Sequence, residues 1–136
     1  MKVIICGATG FIGKNLMRYF CNGENEVIAI YNKKPPTEEF EARATWVKTD
    51  LREPGKISHY LPGTDLLLQF AATTSGAKDI TERPYIHVTD NAVMNSYLLR
   101  EAFEAKVKHF IFPSCTVMLQ SREFQSEVDW DPREEI

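Results

Sequence analysis

Short apolar runs alternate along this chain with stretches that mix apolar and polar positions. Residues 2–6, 27–31 and 65–70 (Lys-Val-Ile-Ile-Cys, Val-Ile-Ala-Ile-Tyr, Asp-Leu-Leu-Leu-Gln-Phe) are each too short and too continuously apolar for amphipathic helices. They read as buried strands, the kind found inside a sheet covered on both faces. Residues 44–48 and 109–112 make two further strands. Between the first two strands, Phe11, Ile12, Leu16, Tyr19 and Phe20 fall at helical spacing. Thr37 can cap a short helix running to Ala42. Pro54 suits the first turn of another over residues 54–61, which Pro62-Gly63 would end. After a polar loop at 73–84, residues 86–105 make a long helix.

This strand–helix alternation predicts an α/β fold, a parallel sheet with helices on both faces. The long helix carries Val88, Ala92, Val93, Tyr97, Leu98, Leu99, Ala102 and Phe103. That stripe is wider than packing one face on a sheet requires. Two readings account for it: a deeply buried helix, or one sandwiched between the sheet and a second subunit. Past residue 118 the pattern fades into an acidic stretch, 119–136, that reads as a loop.

Composition narrows the function classes. A net charge of -3, with no basic block beyond Lys33-Lys34, argues against a nucleic-acid binder. No apolar run approaches the roughly 20 residues that span a bilayer, and the N-terminal run is too short for a signal peptide. Cys6, Cys21 and Cys115 are odd in number and widely spaced, which suggests neither a disulfide framework nor a zinc site. Reduced thiols and a cytoplasmic location are the expectation. His59, His87 and His109 have no ligand spacing.

The strongest chemical signal is Gly7-Ala8-Thr9-Gly10-Phe11-Ile12-Gly13, placed between the first strand and the first helix. Gly7 permits a tight turn, Gly10 lets the backbone approach a pyrophosphate, and Gly13 lets helix and strand pack closely. The helix start offers unpaired N–H groups and a positive dipole end to phosphates.

Gly-Ala-Thr-Gly-Phe-Ile-Gly closely resembles the motif of the extended short-chain dehydrogenase/reductase family, in its nucleotide-sugar epimerase and dehydratase branch. The resemblance continues in family order over residues 1–118. Asp50-Leu51 is similar to the family's pair beside the adenine, Ala71-Ala72 to its paired alanines at the cofactor, and Asn91 to an asparagine early in the fourth helix. Phe110 to Val117 resembles the strand that ends in an active-site serine or threonine. The resemblance implies a Rossmann-like, doubly wound parallel sheet in the order 3-2-1-4-5, an NAD(P)-binding domain over residues 1–118 with an absent substrate domain beyond the loop 119–136, a nucleotide-sugar substrate, and transient oxidation of a sugar hydroxyl. It also implies a homodimer through the long helix.

Three departures stand out. First, the second strand ends in Tyr31-Asn32-Lys33-Lys34, where NAD-dependent members place an acid for the ribose 2′-hydroxyl. Lysines there can attract a 2′-phosphate, which leans the cofactor towards NADP over NAD, although a solvated turn explains them equally well. Second, Met118 stands where the family has tyrosine. Counting back from it selects Ser114 as the catalytic hydroxyl, aligning on Phe110-Ile111-Phe112 selects Cys115 instead, and Thr116 stays open. Third, none of Tyr19, Tyr31, Tyr60, Tyr85 and Tyr97 has a lysine four residues on. The family's Tyr-x-x-x-Lys pair, which moves the proton and holds the nicotinamide ribose, would fall beyond Ile136. The expectation is a truncated chain that binds the dinucleotide without turnover. A non-catalytic dinucleotide sensor is the alternative. Glu127 would line the mouth of the substrate site.

Overall fold

The computed structural model describes residues 1–36, 40, 42–74 and 82–113. Five parallel strands form one sheet: β1 (Lys2–Cys6), β2 (Glu26–Tyr31), β3 (Thr45–Lys48), β4 (Leu66–Gln69) and β5 (His109–Ile111). Their order is β3-β2-β1-β4-β5, as expected. β1 is central, with Val3 beside Val27 on one side and Leu66 on the other.

The period-two pleat divides the core in two. Ile4, Cys6, Ile28, Ile30 and Leu67 point to one face, where they meet Met94, Leu98 and Ala102 of helix α2 (Tyr85–Glu104). Val3, Ile5, Val27, Ala29 and Leu68 point to the other, against Met17 and Phe20 of α1 (Phe11–Phe20) and against Phe40. Both faces are therefore covered, which is why the central strands read as unbroken apolar runs rather than alternating ones.

Two expectations change. Residues 54–61 form a series of turns, not a helix. Pro54 and Pro62-Gly63 produced the reading, and Ile57 and Leu61 are indeed both buried. However, Gly55 adopts φ +76°, in the left-handed region that ends a right-handed helix. The bonds that follow span three residues, Tyr60 N–H to Ile57 O and Leu61 N–H to Ser58 O. Glu101 of α2 holds the segment instead, accepting from the Gly55 N–H at 2.7 Å and the Ser58 hydroxyl at 2.9 Å.

The second change concerns α2, which is not deeply buried within the chain. Only Met94, Leu98 and Ala102 reach the core. Val88, Leu99 and Phe103 are 68%, 53% and 85% exposed, so the wide stripe is surface here. The expected helix at 37–42 falls largely outside the described residues. So does the acidic stretch 119–136.

Candidate dinucleotide site

All of the strands are parallel, so the loops that follow them gather at one end of the sheet. The loops after β1 to β4 enclose a cleft of about 660 Å³, within the range of small-molecule sites. Gly7, Thr9 and Gly10, with Phe11, Ile12 and Gly13 of α1, form its floor; Tyr31, Asn32, Lys33 and Lys34 form one wall. Asp50, Leu51 and Arg52 follow from β3, and Ala71 to Thr74 from β4.

The glycine turn is fastened to its neighbours through the backbone. The N–H groups of Gly7 and Ala8 both donate to Ile30 O at 3.0 Å, and the Phe70 N–H donates to Cys6 O at 3.1 Å. Gly7 has φ +77°, and a Cβ there would stand 2.7 Å from Ala71 N and Phe70 O. Gly13 is buried against the turn that it follows. Helix α1 starts with Gly10 as its N-cap, with no side chain capping it and no acid in its first turn. Its leading N–H groups face forward without a competing internal anion, the arrangement a phosphate requires. A dinucleotide fits these residues: the backbone cradle is closed to any side chain at Gly7 and Gly13 yet presents donors at its rim.

The side chains around Asp50 form a charged network. Asp50 accepts from Arg52 at 3.0 Å (Nε to Oδ1) and 2.6 Å (Nη2 to Oδ2), and from the Arg52 backbone N–H at 3.0 Å. The same guanidinium donates from Nη1 to Asp90 of α2 at 2.8 Å, and the Thr73 hydroxyl also donates to Asp90, at 3.3 Å. Hydrogen bonding from Arg52 holds the Asp50 carboxyl down at about 2. Its partners Asp50 and Asp90 push the Arg52 guanidinium further up, so it stays cationic.

Below the turn, Cys6 is fully buried, and burial raises its thiol to about 12, which keeps it protonated and unreactive. Gln69, also fully buried, donates from Nε2 to Asn95 Oδ1 at 2.8 Å and to Ala71 O at 3.0 Å. It thereby fixes where the β4 loop enters the cleft.

The structure brings together on this cleft the sequence candidates Gly7, Thr9, Gly10, Phe11, Ile12, Gly13, Tyr31, Asn32, Lys33, Asp50, Leu51, Ala71 and Ala72. Asn91 is not among its lining residues. It clamps the loop from outside, accepting from the Thr73 N–H at 2.9 Å and donating to Thr73 O at 3.1 Å and to His87 O at 2.6 Å. Ser114, Cys115, Thr116 and Glu127 lie outside the described residues. Sequence reading missed Arg52, Thr73 and Asp90. The Asp-x-Arg spacing of 50 and 52 was a local signal; Asp90 had none, since it meets Arg52 only through the fold. Among the described residues, no group of His, Cys, Asp and Glu side chains gathers as a metal site, and no helix is long and apolar enough to cross a membrane.

Residues 3–133 match the NAD dependent epimerase/dehydratase family. The chain belongs to this family. Several solved structures of such enzymes share its fold. UDP-glucose 4-epimerase from Bifidobacterium longum, in complex with NAD+ and UDP, superposes with a TM-score of 0.77 at 17% identity, over 93% of this chain and 42% of that one. The dTDP-glucose 4,6-dehydratase DesIV from Streptomyces venezuelae, with NAD bound, gives 0.69 at 23% identity, over 81% of this chain and 38% of that one. A UDP-galactose 4-epimerase gives 0.68 at 26% identity, over 81% of this chain and 37% of that one. This epimerase/dehydratase chain thus spans well under half the length of these relatives. No curated protein matches it in sequence.

Proposed function

We propose that the chain is the dinucleotide-binding part of an NAD(P)-dependent nucleotide-sugar epimerase, dehydratase or reductase. The observation that carries this reading is the cleft itself: a strand–glycine turn–helix cradle at the carboxyl ends of parallel strands, completed by the β2, β3 and β4 loops. Gly10 to Gly13 and the start of α1 would hold the pyrophosphate, Asp50 and Leu51 the adenosine end, and Ala71 and Ala72 would flank the nicotinamide end. When bound, the nicotinamide supplies hydride acceptance and donation. The chain's own part is to bind and orient it, with the β4 loop held in place by Asn91 and Gln69.

Lys33 and Lys34 support NADP over NAD, because both line the cleft where β2 ends. No acidic side chain stands between Tyr31 and Lys34 to repel a 2′-phosphate. Ser114 is the proposed catalytic hydroxyl, set to hydrogen-bond the reacting oxygen of a nucleotide sugar. The exposed stripe of Val88, Leu99 and Phe103 on α2 supports pairing with a second copy of the chain.

Calorimetric titration with NADP and then NAD tests the main reading. The expected result is micromolar binding, tighter for NADP. Tighter NAD binding overturns the NADP preference, and no binding by folded protein overturns the cofactor reading.

A further inference from the structure

β3 and β4 are not neighbours in the sheet: β2 and β1 stand between them. The loops that follow them nevertheless meet on one atom. Asp90 Oδ2 of α2 accepts from Arg52 Nη1 of the β3 loop at 2.8 Å and from the Thr73 hydroxyl of the β4 loop at 3.3 Å. Arg52, Thr73 and Asp90 all line the cleft. Together they form a brace along it, from the end assigned above to adenosine to the end assigned to nicotinamide.

Each loop also has an anchor of its own. Arg52 is bidentate on Asp50, at 3.0 and 2.6 Å. Thr73 is clamped by Asn91 through both its N–H and its carbonyl. Removing Asp90 leaves these anchors standing and cuts only the connection between the loops. The connection is modest in strength. The Arg52 and Asp90 side chains are 44% and 27% exposed, so solvent screens the pair. The Thr73 bond is also longer than charge-assisted O–H bonds usually are.

Resting on the dinucleotide reading above, we propose that Asp90 is a positioning residue that couples the two ends of the cleft. A nucleotide seated against Asp50 and Leu51 steadies Arg52, and through Asp90 it steadies Thr73 and the β4 loop. Coupling of this kind is reciprocal, so a group held at the β4 loop strengthens the grip on adenosine by the same factor. The site consequently favours a whole dinucleotide over either half alone.

The test is amide hydrogen exchange by NMR on the full chain, with and without adenosine diphosphate, which carries the adenosine end but no nicotinamide. The readout is the factor by which the saturating nucleotide slows exchange of the amide at position 73. Saturation is set for each protein by its own titration, so changes in affinity cancel. Wild type should show a slowing of about threefold or more, the scale of a partly exposed ion pair. Asp90→Ala, which suits a helix, and Thr73→Val should each bring the factor close to one. Asp90→Asn keeps an acceptor and should retain most of the effect. A merely supporting Asp90 would change the exchange rate equally with and without nucleotide and leave the factor unmoved. The inference is overturned, with the cofactor reading intact, by an unchanged factor in both Asp90→Ala and Thr73→Val. No slowing in nucleotide-bound wild type, or loss of nucleotide binding in both variants, overturns it in the same way. So does a wild type that binds NADP or NAD but not adenosine diphosphate. No binding of any of the three by folded wild type overturns both readings.

Discussion

Gly7 and Gly13 are in direct contact: a Cβ built on Gly13 would stand 2.1 Å from the carbonyl oxygen of Gly7. No side chain fits there, because the obstructing atoms are backbone and the turn is tied to β2. Gly10 differs. Its Cβ would meet Gly7 O at 3.2 Å, and its φ of -75° suits any residue. Gly13→Ala should therefore cost about 3 kcal/mol or more of stability, seen as a lower urea midpoint or as failure to fold. Gly10→Ala should fold, yet lose dinucleotide affinity, because its methyl occupies the approach to the phosphates. Circular dichroism and calorimetry on the pair separate the two roles.

Lys33 and Lys34 are exposed on the wall of the cleft. Exposed charge pairs are worth under about 1 kcal/mol each. Replacing both by alanine should weaken NADP binding roughly fivefold and leave NAD binding nearly unchanged. The wild-type preference should also shrink with added salt, since the charges involved are solvent-screened.

Acid should release the Asp50 network. The Asp50 carboxyl sits at about 2, against an ordinary 3.8, because Arg52 bonds its charged form. A lowered folded-state value stabilises the protein above the ordinary value, and that stabilisation is lost as pH falls through the folded one. The stability difference between wild type and Asp50→Asn should thus be constant near neutrality, shrink from about pH 4, and vanish near pH 2. Urea melts of both proteins across that range check it. A difference that persists below pH 2 would show that Asp50 contributes through something other than its charge.

Lys106 closes α2 in the left-handed region, at φ 58°. Its own N–H donates to Phe103 O, and the following Val107 N–H donates to Ala102 O at 2.9 Å, a helix stop that glycine normally makes. Lys106→Gly should stabilise the chain by about 1 kcal/mol, raising the melting temperature by roughly 4 °C. Differential scanning calorimetry reads this directly.

The strands, the glycine turn and the two long helices were legible because each depends on a short window of sequence. Val3 to Cys6 and Val27 to Ile30 are apolar at every position since both faces of the sheet are covered. The spacing of Gly7, Gly10 and Gly13 states the close approach of a strand, a turn and a helix that are contiguous in the chain. Local pattern misled where burial and backbone conformation parted company. Pro54 and Pro62-Gly63 bracket residues 54–61 as a helix, but Gly55 turns the wrong way and Glu101, 46 residues from it, holds the segment through the Gly55 N–H. Nor does periodicity distinguish an apolar face buried in its own fold from one left for another surface, so the exposure of Leu99 and Phe103 emerged only with the sheet in place. The site divides along the same line. Its glycine turn is written in consecutive residues. Its charged network joins Asp50 and Arg52 to Asp90, 38 residues beyond Arg52, and only the packing of α2 on the sheet brings those charges within bonding distance.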